Sequence, residues 1–268
     1  VFPVAAFAAQ YNTVDLHAHP FLDLGVGFLF KGHFDQPLLA KDWTSTYDSM
    51  INPEALEKSG NGIIVVSLYA HPVLAAPARG SIRKQIAATE DFVATHPGWV
   101  IARSPREARA AIKAGKRVLV FALERASEVL DTPEDLVEFI DQRGIRIVTL
   151  IHLIDDHNGG AAMFGGAKLL LNPFALIHEL GGGDHDAQGV SVNVSGLAPR
   201  GRTLLKALLK RQVWIDLAHA SDHSQQEALP YIVAAGQPVL QTHTSLRRYL
   251  KTERAMNAEQ LKWIARTG

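Results

Sequence analysis

RVLVFALE, residues 117–124, is an apolar run closed by a glutamate. A strand with one wet face alternates polar and apolar residues, whereas a strand covered on both faces is apolar throughout. Residues 118–123 follow the second pattern. Glu124 breaks it: a carboxylate at the end of a buried strand is costly unless a partner compensates its charge. Those partners have to come from elsewhere in the chain.

Five other runs share the design. They are TVDLHAHP (13–20), GIIVVSLYAH (62–71), IRIVTLIH (145–152), QVWIDLAH (212–219) and PVLQTHTS (238–245). Each carries histidine at or near its C-terminal end: His17 and His19, His71, His152, His219 and His243. Helical stretches lie between them, such as SPREARAAIKAG, TPEDLVEFIDQRG and NAEQLKWIARTG. Several begin at Ser, Thr or Asn and end at Gly, the preferred capping residues. TPEDLVEF adds Pro at the first helical position and acids facing the helix dipole.

Strands alternating with helices predict a parallel sheet. A doubly wound sheet and a closed barrel both satisfy that pattern. Chemistry gathered at strand ends points to a TIM-type (β/α)8 barrel, whose sites sit at the C-terminal rim. About six βα units are present. We expect one domain over residues 1–268, with a long loop insertion at about 153–200. The insertion is expected to carry one short helix in LLLNPFALIHELG and to lie over that rim.

Residues i and i+2 of a strand share a face. His17 and His19 can therefore reach one metal ion, with Val14 and Leu16 on the opposite, buried side. Imidazole and carboxylate are ligands for Zn²⁺ and similar ions, and a carboxylate can bridge two of them. The chain has no cysteine, so thiolate ligands and disulfides are excluded. His17, His19, Glu124, His219 and His243 are the candidate metal ligands. His71 reads equally as a ligand or a turn residue. His33, His96, His157, His178, His185 and His223 read as solvated or locally hydrogen-bonded.

Net charge is formally zero, which gives no basic footprint for nucleic acid. No apolar stretch approaches the roughly 20 residues that a membrane span needs. The opening VFPVAAFAAQ reads as the stub of a cleaved signal, an artificial edge or a plain apolar segment. The expectation is a soluble protein, cytoplasmic or periplasmic/secreted. A small-molecule substrate suits the cluster, and a homo-oligomer is left open.

The ordered motifs VDLHAHP, FALE, GIRIVTLIH…HN, GLAPRGRTLLKALLKRQVWIDLAHAS and PVLQTHTSLR together resemble the membrane (renal) dipeptidase family of metallopeptidases. That family lies among the amidohydrolase-like (β/α)8 hydrolases. The resemblance implies cleavage of dipeptide amide bonds by a water activated at two zinc ions. It puts His17 on the first zinc, Glu124 as the bridge, and His219 and His243 on the second. His152 matches the histidine that contacts substrate and stabilises the tetrahedral intermediate; Glu124 and His152 are thus the implied catalytic residues. Arg254, in KTERAMN, matches the arginine that grips the substrate carboxylate, a task suited to a guanidinium fork.

Two departures from the family pattern stand out. His19 replaces the usual Asp, which makes the ligand set less negative and should acidify bound water or change the preferred metal. The chain also stops after its sixth βα unit, before the family's last two units and their Asp. Six units alone would leave open sheet edges, so the remainder is expected from a longer protein or another source. The alternatives are an amidohydrolase-like enzyme acting on a lactone, cyclic amide or phosphoester, and a non-catalytic homologue.

Overall fold

The computed structural model describes residues 13–21, 58–71, 77–164, 177 and 184–268. They fall into two compact units. One comprises the described residues of Val1–Leu123 and Leu136–Arg146, the other those of Glu124–Asp135 and Ile147–Gly268.

The first unit contains β1 (Thr13–Ala18), β2 (Asn61–Tyr69), α1 (Ala78–Thr95), β3 (Trp99–Ile101), α2 (Pro105–Lys113) and β4 (Arg117–Glu124), whose last residue opens the second unit. β1 pairs with β2 and β3 with β4, both parallel. β2 and β4 are neighbours. The apolar run of β4 is buried on both faces, with Val118, Leu119, Phe121 and Leu123 fully enclosed. Each such side chain contributes about 1.5–3 kcal/mol.

α1 covers this sheet with Ile82, Gln85, Ile86, Thr89 and Phe92, all buried at helical spacing. Gln85 spends its amide on the end of β2. Its Nε2 donates to Tyr69 O at 2.7 Å, and its Oε1 accepts from Tyr69 N at 3.1 Å. A side chain there serves both backbone polar groups of the last residue of β2. α2 starts as its sequence predicts: Ser104 Oγ accepts from Glu107 N, Pro105 opens the helix, and Gly115 follows at φ +71°. Thr132 likewise caps its helix, its Oγ1 accepting from Asp135 N at 3.2 Å. The helix then widens into a π-helical segment, Leu136–Gln142, which the sequence pattern does not announce.

The second unit contains β5 (Ile147–Thr149), a short antiparallel pair β6 (Asp184–His185) and β7 (Ser191–Val192), α3 (Pro199–Lys210), β8 (Trp214–Asp216), α4 (Asp222–Ala234) and α5 (Ala258–Thr267). β5 and β8 pair in parallel. Asn257 and Gln260 form a reciprocal capping box at the start of α5, as NAEQ suggests. Within the 153–200 segment, Ala162 N donates to His219 O at 2.7 Å and Gly160 O accepts from Ser221 N at 2.9 Å. This segment therefore lies beside the chain leaving the C-terminal end of β8. Gly201 makes room for it: a Cβ there would sit 1.9 Å from Asn158 O.

Three expectations need correction. Only five of the six apolar runs hold a strand; in 238–245 the pairing is one parallel bridge, Leu240 to Asp216. Thr242 N donates instead to the Asp216 carboxylate at 3.0 Å, so the ladder stops there. β3 was not foreseen, because three residues are too few to show a period. Val14 and Leu16 are not core residues; they are 49% and 41% exposed. Among the described residues β1 has only β2 beside it, and its register shifts twice along the pair, so simple alternation does not describe it. The helix expected in LLLNPFALIHELG lies, apart from Ile177, outside the described residues, as do His33 and His178.

Candidate metal centre

Each unit brings its own predicted residues together. In the first, His17 and His19 turn their Nε2 atoms to within 2.9 Å of each other. His19 Nδ1 lies 2.8 Å from Ser67 O. A carbonyl only accepts, so the Nδ1 carries the proton and the His19 Nε2 presents a lone pair. His17 Nδ1 lies 3.3 Å from Ser67 Oγ, and its backbone N–H donates to Asp15 at 3.0 Å. Ser67, within the apolar run of β2, thus orients both rings through its carbonyl and its hydroxyl. A carbonyl or hydroxyl behind the distal nitrogen is the usual support of a metal-binding histidine.

In the second unit Glu124 ends β4, 3% exposed. Its Oε1 lies 3.2 Å from His152 Nε2, 3.2 Å from His219 Nε2 and 3.4 Å from His243 Nε2. Three imidazoles from outside β4 thus meet the buried carboxylate. The His152 and His219 rings lie 4.1 Å apart between centroids, tilted by 57°, and His219 and His243 bring their Nε2 atoms to 2.7 Å. The ligand atoms of Glu124, His152 and His219 all lie within 4.8 Å of one another, a grouping able to hold a metal ion. His219 sits at φ +68°, a left-handed conformation that costs a histidine energy and recurs at functional sites.

Asp216, at the end of β8, organises this cluster. It is buried and accepts four hydrogen bonds: from Thr149 Oγ1 at 2.9 Å, Thr242 Oγ1 at 2.7 Å, Thr242 N at 3.0 Å and Ala218 N at 3.1 Å. The Thr242 hydroxyl gives its proton to Asp216, so its remaining role toward His243 Nδ1, 2.9 Å away, is to accept. That puts the His243 proton on Nδ1 and leaves Nε2 bare, the form that binds metal. Neither Asp216 nor Thr242 was singled out from sequence. The available signals were the Asp in WIDLAH and the Thr in QTHT.

Arg254 is partly buried. Its Nε donates to His219 Nδ1 at 3.3 Å and its Nη2 to His243 O at 2.8 Å. Its guanidinium is therefore engaged with the histidine cluster. Burial pulls its pKa down, while Asp216 and Glu124 push it up. Burial also holds His219 well below the ordinary imidazole value, with His152 and Arg254 adding to the effect and Glu124 opposing it. A neutral His219 is suited to coordination. His96 behaves as expected of a local hydrogen-bonder, its Nδ1 2.8 Å from Phe92 O at the end of α1.

Residues 179–268 match the model of a known family, membrane dipeptidase (peptidase family M19). The chain resembles membrane dipeptidases. Among solved structures, a probable dipeptidase of Pseudomonas aeruginosa, PvdM, is similar with TM-score 0.69 and 16% identity, over 98% of this chain and 60% of that one. An amidohydrolase of the same organism gives 0.62 and 16%, over 100% and 63%. A metallo peptidase of Rhodobacter sphaeroides gives 0.68 and 14%, over 96% and 72%; it was solved with a phosphinate mimic of the dipeptide L-Ala-D-Ala. No curated protein sequence matches the chain. The structural likeness establishes the fold, α/β of the TIM-barrel type. The chain spans 60% and 63% of the length of the two Pseudomonas proteins. No helix among the described residues is long and apolar enough to cross a membrane.

Proposed function

We propose that the chain is a metal-dependent hydrolase of the dipeptidase type, acting on the amide bond of a dipeptide. The observation that carries this reading is the convergence of His152, His219 and His243 on one carboxylate oxygen of Glu124. Neutral imidazoles and a carboxylate, without sulfur, suit zinc. Glu124, His219 and His243 would hold one ion, and His17 and His19 another. When bound, zinc supplies an acidified water and polarises the scissile carbonyl.

The chain's own residues do the rest. Glu124 supplies the negative charge that balances a cation. Asp216 and Thr242 hold His243 in its binding tautomer. His152 donates from Nε2 to the oxygen that becomes negative as the carbonyl turns tetrahedral. Arg254 pairs its guanidinium with the free carboxylate of the dipeptide. A substrate anchored at that end presents one amide bond to the centre, which selects dipeptides over longer peptides.

The test is elemental analysis of the purified protein together with a panel of dipeptides, Ala-Ala among them. Bound zinc with dipeptide turnover, lost to a chelator and restored by zinc, supports the reading. Bound metal without dipeptide turnover would move the substrate to a lactone, cyclic amide or phosphoester. Absence of metal binding would make the protein a non-catalytic homologue.

A further inference from the structure

Glu253 is the residue before Arg254, and it is 1% exposed. Its carboxylate accepts three backbone hydrogen bonds from three separate segments. Oε2 takes Met163 N at 2.7 Å and Asn193 N at 3.0 Å, and Oε1 takes Asp222 N at 2.8 Å. Asp222 opens α4, so the third bond also puts an anion at a helix N-terminus, where it is favoured. Met163 is held on its other side as well: its carbonyl accepts from Thr252 Oγ1 at 2.7 Å and from Arg254 N at 3.3 Å. One residue of the 153–200 segment, Met163, is thus clamped on both sides by Thr252, Glu253 and Arg254. None of these bonds touches a candidate metal ligand.

A buried carboxylate placed among donors from three segments fixes the path of the loop that carries it. The next residue along that path is the arginine whose guanidinium reaches His219 and His243. We infer that Glu253 is a positioning residue for Arg254, holding the guanidinium where it meets the substrate carboxylate by tying its loop to Met163, Asn193 and Asp222. The inference rests on the proposed carboxylate-gripping role of Arg254. It adds a residue that touches neither metal nor substrate.

Removing Glu253 should loosen one end of the substrate only. A ligand with a free carboxylate should suffer, and the same ligand with that carboxylate capped as an amide should not. The probes are a phosphinate dipeptide mimic and its C-terminal amide, titrated calorimetrically into the zinc-loaded full chain at pH 8. Arg254→Met should weaken the acid by about 10–100-fold, the range of hydrogen bonds to charged groups, and leave the amide within about twofold. Glu253→Gln keeps the shape but turns an NH₂ toward a backbone donor. It should weaken the acid by roughly 3–30-fold and again spare the amide. Combined with Arg254→Met it should add nothing further, since both act through one contact.

Equal weakening of acid and amide in Glu253→Gln, or no change in either, would overturn the inference while leaving Arg254's role intact. Loss of acid–amide discrimination in neither variant would refute the Arg254 assignment, and the positioning role with it. Should Glu253→Gln fail to fold, Thr252→Val removes one strut of the same clamp. It should shift the acid-to-amide ratio in the same direction by about two- to tenfold; an unchanged ratio counts against the clamp.

Discussion

The Arg254 guanidinium donates from Nε to His219 Nδ1 at 3.3 Å, and that bond decides where the His219 proton sits. Nδ1 accepts, so the proton is on Nε2, the atom facing Glu124 and His243. A cation bound at Nε2 displaces that proton and leaves the neutral ring protonated at Nδ1, facing a donor. Metal loading and the Arg254–His219 bond therefore oppose each other. Arg254→Met should tighten zinc binding by about tenfold, the lower end of second-shell effects on metal affinity. Competition against a chromogenic chelator measures this. Weaker or unchanged affinity would mean that the arginine does not compete with the metal.

His152 tests mechanism rather than binding. Its Nε2 is as close to Glu124 as that of His219, so distance alone fits a ligand or a donor. The proposed role is to steady the developing oxyanion. His152→Ala should then retain zinc and lose roughly 10²–10³ in kcat. Zinc content and turnover measured on one preparation decide the matter. Lost metal would make His152 a ligand, and unchanged turnover would remove it from the reaction.

Thr242 tests the orientation of His243. Its hydroxyl takes the Nδ1 proton and passes its own to Asp216. Thr242→Val keeps the shape and removes that support. Zinc affinity should fall by about 10–100-fold, with a stability loss of about 0.5–1.5 kcal/mol for the missing hydrogen bond. A variant that is less stable yet binds zinc as tightly would show that the tautomer is set elsewhere.

What the sequence revealed depended on how local the signal was. RVLVFALE announces both a doubly covered strand and a charged terminus in need of partners, because burial and the cost of a lone carboxylate are local rules. The caps at Ser104, Thr132 and Asn257 were legible for the same reason. Asp216 was not: it reads as an ordinary strand residue until Thr149 and Thr242 are seen around it. The same holds for Glu253, whose three donors come from positions 163, 193 and 222. The burial of Val14 and Leu16 was misread, because alternation shows which residues share a face but not what covers it.

Glu253 also gives the protein a pH signature. Burial raises its pKa from 4.5 to about 7, against the opposing pull of the three N–H donors. Between those two values the folded chain holds a proton that the unfolded chain has released. Stability must then fall as pH rises through that window, by about 3 kcal/mol in full, since one pKa unit is worth about 1.36 kcal/mol. Below about pH 4.5 both states are protonated and the penalty is absent; above about pH 7 both are ionised and it is complete. Glu253→Gln cannot titrate at this position and lacks the slope. Urea unfolding of both proteins at pH 5 and pH 8 isolates the effect, because other groups cancel in the difference. The native protein should lose about 2–3 kcal/mol relative to the variant on going from pH 5 to pH 8. A difference that stays constant would show that the backbone donors outweigh burial and keep Glu253 ionised throughout.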